Sequence, residues 1–342
     1  MEETPRISVI VTAHNRRNYL RMAVDSVLNQ TFPRDRFETI VFKNFADTEM
    51  DAYLSAHSVR SVTSNADSRV RTLGSVLREA TGEILCFIDD DDLFAPNKLE
   101  VVDRVFGENP SLGYFHNDFV VIDDDGKPFV RAPFLHVPQR IYLRAGDNRS
   151  RPLPPNTLAY GINCSSISVR RTWLPSFASL YEAPEAEWAD LLILCSALVS
   201  GYDVLVDPAK LTYYRYHDSW TNIAQYALDS VQRIASLDDQ NIAVLKLVER
   251  FSSHTPIETF VRQDLAYLRF HRSLFSDASD WKPRTLDFVR FVQAGLHQRN
   301  YAPFYLIPLH LLSKISPIEA RKTYFRLAAR YRRFSFRRSA AS

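Results

Sequence analysis

Four consecutive aspartates, Asp89 to Asp92, follow directly on the apolar run Ile84 to Ile88. Carboxylates this close repel one another, and a hard divalent cation with oxygen ligands offsets such charge well. A solvated acidic turn, or a helix N-terminus capped by Asp92 ahead of Leu93 and Pro96, is the structural alternative. The element before the acids separates the two. A continuous apolar run of strand length reads as a strand buried on both faces, as in a parallel sheet. The acids then stand at the carboxyl edge of a central strand, where open α/β sheets bind ligands. An EF-hand is excluded, because the loop lacks that motif's acid spacing and glycine.

Two further stretches carry groups that could do chemistry. Glu185, Glu187 and Asp190 lead into an apolar helix, Leu191 to Val199, which Gly201 ends. An acid there can cap the helix. The segment Leu211 to His217 (LTYYRYH) closes on a histidine after three tyrosines and Arg215. By contrast, Asp123-Asp124-Asp125-Gly126 lies between alternating apolar runs and reads as a hairpin turn rather than a metal site.

The elements that position these groups alternate. Ile7 to Thr12 is a β-branched strand, and Tyr19, Leu20, Ala23, Val24, Val27 and Leu28 recur at helical spacing. Phe37 to Phe42 is a second strand, so the first 42 residues form a right-handed βαβ unit. A short helix (49–57), a weak strand (60–63) and an amphipathic helix (69–80) come next, the last with Gly82 as its C-terminal stop. After the acids come a helix (97–106), the strand Tyr114 to Ile122, and an irregular Pro- and Arg-rich stretch (133–156) of the kind used as lids. Short strands at Cys164 to Val169 and Tyr202 to Val206 complete the alternation. From Thr221 onward the pattern is helical only, which sets the expected boundary between residues 1–222 and 223–342. The class is α/β without the GxGxxG dinucleotide fingerprint.

The 342 residues carry a net charge of +2, which gives no bias toward nucleic acid. The charge is uneven: from Ala320 to the end there are eight Arg or Lys and no acid, so the remainder is net acidic. Cys86, Cys164 and Cys195 are widely spaced in apolar contexts and are expected to be buried thiols, with no zinc spacing and no disulfide framework. The amino terminus does not read as a signal peptide, and no run reaches the ~18 apolar residues of a membrane-spanning helix. A cytoplasmic location is expected.

Three segments together resemble family-2 glycosyltransferases, which have the GT-A fold. SVIVTAHNRRNYLRMAVDSVLNQTF resembles the family's opening, and ATGEILCFIDDDDLFAPNKL its metal-binding segment. EWADLLILCSALVSGYDVL resembles its catalytic-base helix, and YYRYH the segment after that helix. The resemblance spans about residues 6–220. It implies a mostly parallel mixed sheet flanked by helices, and transfer of a sugar from a nucleotide sugar to an acceptor hydroxyl, usually with inversion. Asp89 and Asp91 match the DxD pair. Asp91 would contact Mn²⁺ or Mg²⁺, Asp89 the ribose or the metal, and Asp90 would lie on the donor side with them. Asp190 matches the general base, with Glu187 second, and His217 would reach the metal or the diphosphate. Thr12, Ala13 and Asn15 match the turn under the nucleotide; Asp67 and Arg71 match the segment that approaches base and diphosphate. The family's acid pair after the second strand is replaced by Lys43-Asn44-Phe45. Asn44 or Asp47 would then take over base recognition, or Lys43 would meet phosphate. Arg215 is a further candidate for phosphate.

The carboxyl-terminal stretch combines apolar runs with a basic helix, a pattern suited to an anionic membrane surface on the inner face, and hence to a lipid-linked glycan acceptor. A helical cap with a solvated basic edge is the alternative. A non-catalytic nucleotide-sugar or glycan binder on the same fold is the competing functional class.

Overall fold

The computed structural model describes residues 4–14, 17–63, 69–129, 136–145, 161, 163–183, 188–216, 231–255 and 257–274, with scattered residues between 289 and 326. The chain divides into two compact units, Met1–Tyr216 and His217–Ser342.

In the first unit the strands are β1 (Ile7–Ala13), β2 (Phe37–Lys43), β3 (Arg60–Thr63), β4 (Ile84–Asp89), β5 (Leu93–Phe94), β6 (Leu112–Ile122), β7 (Ile141–Leu143), β8 (Ile167–Arg170) and β9 (Asp203–Arg215). Helices α1 (Leu20–Leu28), α2 (Thr48–Ala56), α3 (Arg69–Glu79), α4 (Lys98–Glu108), α5 (Ala178–Tyr181) and α6 (Ala189–Val199) connect them. The sheet order is β3-β2-β1-β4-β8-β6-β9-β5, with β7 paired to β9. Strands β1 to β4 are parallel to one another, β8 runs antiparallel between β4 and β6, and β6 and β9 are parallel. The sheet is therefore mixed, half parallel and half interrupted by short antiparallel pairings.

Register explains why the acids sit where they do. Thr12 pairs with Asp89, and Ala13 pairs with Lys43, so β1, β2 and β4 end together at one edge. All six residues of β4 are buried, as a strand covered on both faces requires. Ile84, Cys86 and Ile88 join a core with Val9, Val11, Val24, Val27, Leu99 and Val102 from β1, α1 and α4. That packing anchors the start of the acidic run against the rigid middle of the unit.

Several expectations change. Gly82 does not stop α3, which ends at Glu79, and it lacks the positive φ of such a stop. A Cβ there would lie 2.6 Å from the Ser8 backbone nitrogen, so glycine is required for close approach to β1. Gly201, at φ +83, does end α6. Cys164 to Ser166 is a 3-10 turn rather than strand, and Cys164 is only half-buried; none of the three cysteines forms a disulfide among the described residues. The segments expected separately at 202–206 and 211–217 join, over Asp203–Arg215, into one strand, β9, and His217 lies outside the described residues. Part of the irregular 133–156 stretch is strand β7. The 123–126 turn is a hairpin: Gly126 sits at φ +81 and donates to the Asp123 carbonyl.

The second unit contains α7 (Val231–Glu249) and α8 (Glu258–Leu274), which pack through Ile242, Leu245 and Val248 on one side and Val261 and Leu265 on the other. Among its described residues, His271 bridges the Asp238 carboxylate at 2.8 Å and the Tyr324 hydroxyl at 2.7 Å. No helix of the described residues is long and apolar enough to cross a membrane.

Candidate metal and donor site

Carboxylate oxygens of Asp89, Asp91 and Asp92 all lie within 4.8 Å of one another. Asp89 ends β4, its Oδ1 accepts from the Thr12 hydroxyl at 2.9 Å, and its N–H donates to Ser165 Oγ at 3.0 Å. The Asp90 N–H donates to the Thr12 carbonyl, continuing the β1–β4 ladder one residue past the strand. Asp92 is 1% exposed. It does not cap a helix, because α4 begins at Lys98 with Asn97 as its cap. Burial, then the charges of Asp91 and Asp89, hold its carboxyl well above the usual carboxylate range. Three nearly buried carboxylates within reach of one cation make an oxygen-only donor set, which suits a hard divalent ion. Asp92 is thus a ligand candidate that the DxD match passed over.

Arg215 holds this arrangement from behind. Its N–H donates to Asp92 Oδ1, its Nε to the Asp91 carbonyl, and its Nη1 to the carbonyls of Asp123 and Asp124. The guanidinium lies 4.3 Å from the Tyr19 ring, and the Tyr19 hydroxyl donates to Asp124. The phosphate role expected of Arg215 is therefore largely displaced by a structural one: most of its donors are committed to backbone. Arg215→Ala should strip donors from three carbonyls and cost about 2–4 kcal/mol. Urea unfolding would measure this. Arg215→Lys should recover only part, because an ammonium cannot reproduce the guanidinium fork.

Beneath the cluster, Lys98 is fully buried and donates to the Ser165 carbonyl and to Thr212 Oγ1. Burial pulls its ammonium down from 10.5 to about 7. Between those values the folded chain binds fewer protons than the unfolded chain, so stability rises with pH across that window. The slope is up to about 1.4 kcal/mol per pH unit. Thermal unfolding from pH 7 to 10 should show wild type gaining on Lys98→Met; parallel curves would contradict the assignment.

The loop after β2 is settled differently from expectation. Lys43 is buried, and its amine donates to the Phe45 carbonyl at 2.9 Å and to Asp51 at 3.1 Å, so it is occupied in holding the loop rather than facing phosphate. Asp47 caps α2 by accepting from Met50 N. Arg17, which sequence reasoning missed, donates to the Ala46 carbonyl and lies 3.9 Å from Asp47. Asn44 lies between these anchors.

Asp190 is in the first turn of α6, whose cap position is Trp188, so the capping alternative does not hold. Its charge, after burial, helps raise the Tyr114 hydroxyl, which places the two groups near each other. Tyr114 in turn donates to the Gly161 carbonyl, and Ser165 Oγ accepts from the Asp89 N–H. Asn15, Asp67, Glu187, His217 and the side chain of Arg71 lie outside the described residues.

Residues 8–159 match the family described as Glycosyl transferase family 2. An uncharacterized glycosyltransferase of Nostoc sp. is 26% identical over 242 residues, 68% of this chain and 71% of that protein. The probable glycosyltransferase YdaM of Bacillus subtilis is 30% identical over 232 residues, 64% of this chain and 53% of its own length. Among solved structures, S. aureus TarS 1-349 in complex with UDP-GlcNAc matches with TM-score 0.58 at 16% identity, over 93% of this chain and 90% of that one. The mannosyltransferase PcManGT of Pyrobaculum calidifontis, in complex with GDP-Man and Mn²⁺, matches with TM-score 0.52 at 15% identity, over 94% and 87%.

Proposed function

We propose, from the premise that the N-terminal unit of this chain belongs to glycosyl transferase family 2 and has the GT-A fold, that it transfers a hexose from a nucleotide sugar to a hydroxyl acceptor with inversion. The observation that carries this reading is the Asp89, Asp91 and Asp92 cluster, in register with Thr12 at the carboxyl edge of β4. Asp91 and Asp92 would hold Mn²⁺ or Mg²⁺, and Asp89 would be shared between the ion and the donor. When bound, the ion supplies Lewis-acid stabilisation for the charge that builds on the departing diphosphate. Thr12 and Ala13 would line the floor under the nucleoside, as would Asn15. Asn44 would read the base from the loop that Lys43 and Arg17 hold, with Asp47 supporting it. Asp67 and Arg71 would approach the base and the diphosphate, Asp90 would contact the donor, and His217 would reach the metal or the diphosphate. Asp190 would accept the acceptor's proton as its oxygen attacks the anomeric carbon, with Glu187 as the alternate base.

A thermal-shift screen of UDP- and GDP-sugars, with and without Mn²⁺, tests the donor. A ligand that binds only the folded state raises the melting temperature. One nucleotide should raise it only with the metal; no response from any would overturn the reading.

The acceptor we propose is lipid-linked. Leu311, Ile315 and Ile318 are 59%, 84% and 60% exposed at helical spacing, just ahead of the acid-free basic tail. An apolar stripe beside clustered Arg and Lys fits an anionic bilayer surface. The intact chain should sediment with vesicles containing phosphatidylglycerol and not with phosphatidylcholine alone. Ile315→Glu should weaken that binding about tenfold, since the change removes apolar burial and adds charge repulsion.

A further inference from the structure

The described residues hold one carboxylate–imidazole pair in the first unit that the proposed transfer leaves unused. Asp118 is 2% exposed, and both its oxygens lie 3.1 Å from His136 Nδ1. The imidazole is 43% exposed. A carboxylate accepts only, so Nδ1 carries the proton, and in the neutral ring Nε2 is an acceptor.

Two features indicate that this geometry is built for a ligand. First, β6 loses register with β9 on both sides of Asp118. The extra residues, Pro208, Ala209 and Leu211, lie on β9 opposite Asp118, and such bulges recur beside active sites. Second, the imidazole is backed by aromatic rings. His136 and Phe119 lie 5.4 Å apart, as do Phe119 and the half-exposed Tyr214. Tyr214 immediately precedes Arg215, whose Nε holds the Asp91 carbonyl. The pair therefore stands two ring contacts, one peptide and one hydrogen bond away from the acid cluster. A polar group held rigid beside an amphipathic ring matches a sugar, which has hydroxyls at its edge and C–H groups on its face.

We propose that Asp118 and His136 form an acceptor-sugar subsite: His136 Nε2 accepts a hydroxyl hydrogen bond from the sugar, Asp118 fixes the ring, and Tyr214 supplies the apolar face. This deepens the glycosyltransferase reading and rests on it. The sugar bound here is the acceptor residue, not the donor.

The test uses the full chain and a panel of methyl glycosides of glucose, galactose, mannose and N-acetylglucosamine, read by saturation-transfer NMR in the presence of Mn²⁺ and UDP or GDP. At least one glycoside should bind. His136→Ala should weaken it about tenfold, the loss of one oriented hydrogen bond. His136→Gln, which keeps a polar group of similar reach, should recover part of the affinity and guards against a folding failure. Binding of Mn²⁺ and nucleotide should be the same in all three proteins. Equal glycoside affinity in wild type and His136→Ala, or no glycoside bound while nucleotide binds, overturns the subsite and leaves the glycosyltransferase reading standing. Failure of wild type to bind any Mn²⁺–nucleotide removes the reading beneath it.

Discussion

Asp190→Asn is expected to lower sugar transfer by about 10²- to 10⁴-fold, the range that a positioned general base contributes. The asparagine keeps the shape and the hydrogen bond to Leu191 N but cannot take a proton. A hydroxyl acceptor ionises far above neutral pH, so attack without a base leaves a poor nucleophile. The separation from the donor machinery is what makes the experiment decisive. Asp190 belongs to α6, whereas the acid cluster belongs to the end of β4. Mn²⁺-dependent nucleotide affinity should therefore stay within a factor of two of wild type, a margin of ~0.4 kcal/mol. Steady-state kinetics would report the loss in kcat, with donor KM little changed. Retained transfer in this variant would move the base assignment to Glu187 and sink the role given to Asp190.

Asp91→Ala is expected to have the second large effect, on binding rather than on proton transfer. Removing one of three clustered carboxylates leaves an incomplete oxygen shell. Metal-dependent donor hydrolysis and transfer should then both fall by roughly 10³-fold or more, the loss of several kcal/mol of charge stabilisation at the diphosphate. The same substitution should stabilise the protein without metal, because Asp92 is held high first by burial and next by Asp91. Taking away a like charge relieves that repulsion. A gain in stability coupled to a loss of activity distinguishes a metal-site residue from a structural one, whose removal would lower both.

How much of the molecule is legible in the sequence depends on how local each signal is. The apolar run 84–88 and the acids after it are contiguous, so strand, burial and ligand cluster are all legible there. Helix α6 and the Asp-Gly hairpin are legible for the same reason, since period and turn chemistry are short-range. Pairing partners are not local. Nothing in Ile167–Arg170 announces an antiparallel strand slotted between β4 and β6, because strand preference reports a half-buried surface and not its neighbour. Strand β9 crosses Pro208, a residue that argues against a strand until the register shift around Asp207 and Lys210 is seen to absorb it. Lys43 resembles a phosphate ligand until Asp51 and the Phe45 carbonyl, both supplied by the next loop and helix, claim its amine. Asp92 resembles a cap because helix starts carry acids; only the three-dimensional proximity of Asp89 and Asp91 makes it a ligand candidate. Gly82 stands out for the right reason, its lack of a side chain, but the constraint comes from Ser8, far away in the chain.

The central claim is that the carboxylates at the end of β4 bind a divalent cation together with a nucleoside diphosphate. Isothermal titration of Mn²⁺ into the full chain, with and without UDP or GDP, measures it directly. One Mn²⁺ site is expected, tightened by nucleotide to the same degree that Mn²⁺ tightens nucleotide, as linkage demands, and lost in Asp91→Ala. Identical Mn²⁺ heats in wild type and Asp91→Ala, with no change on adding either nucleotide, would contradict it.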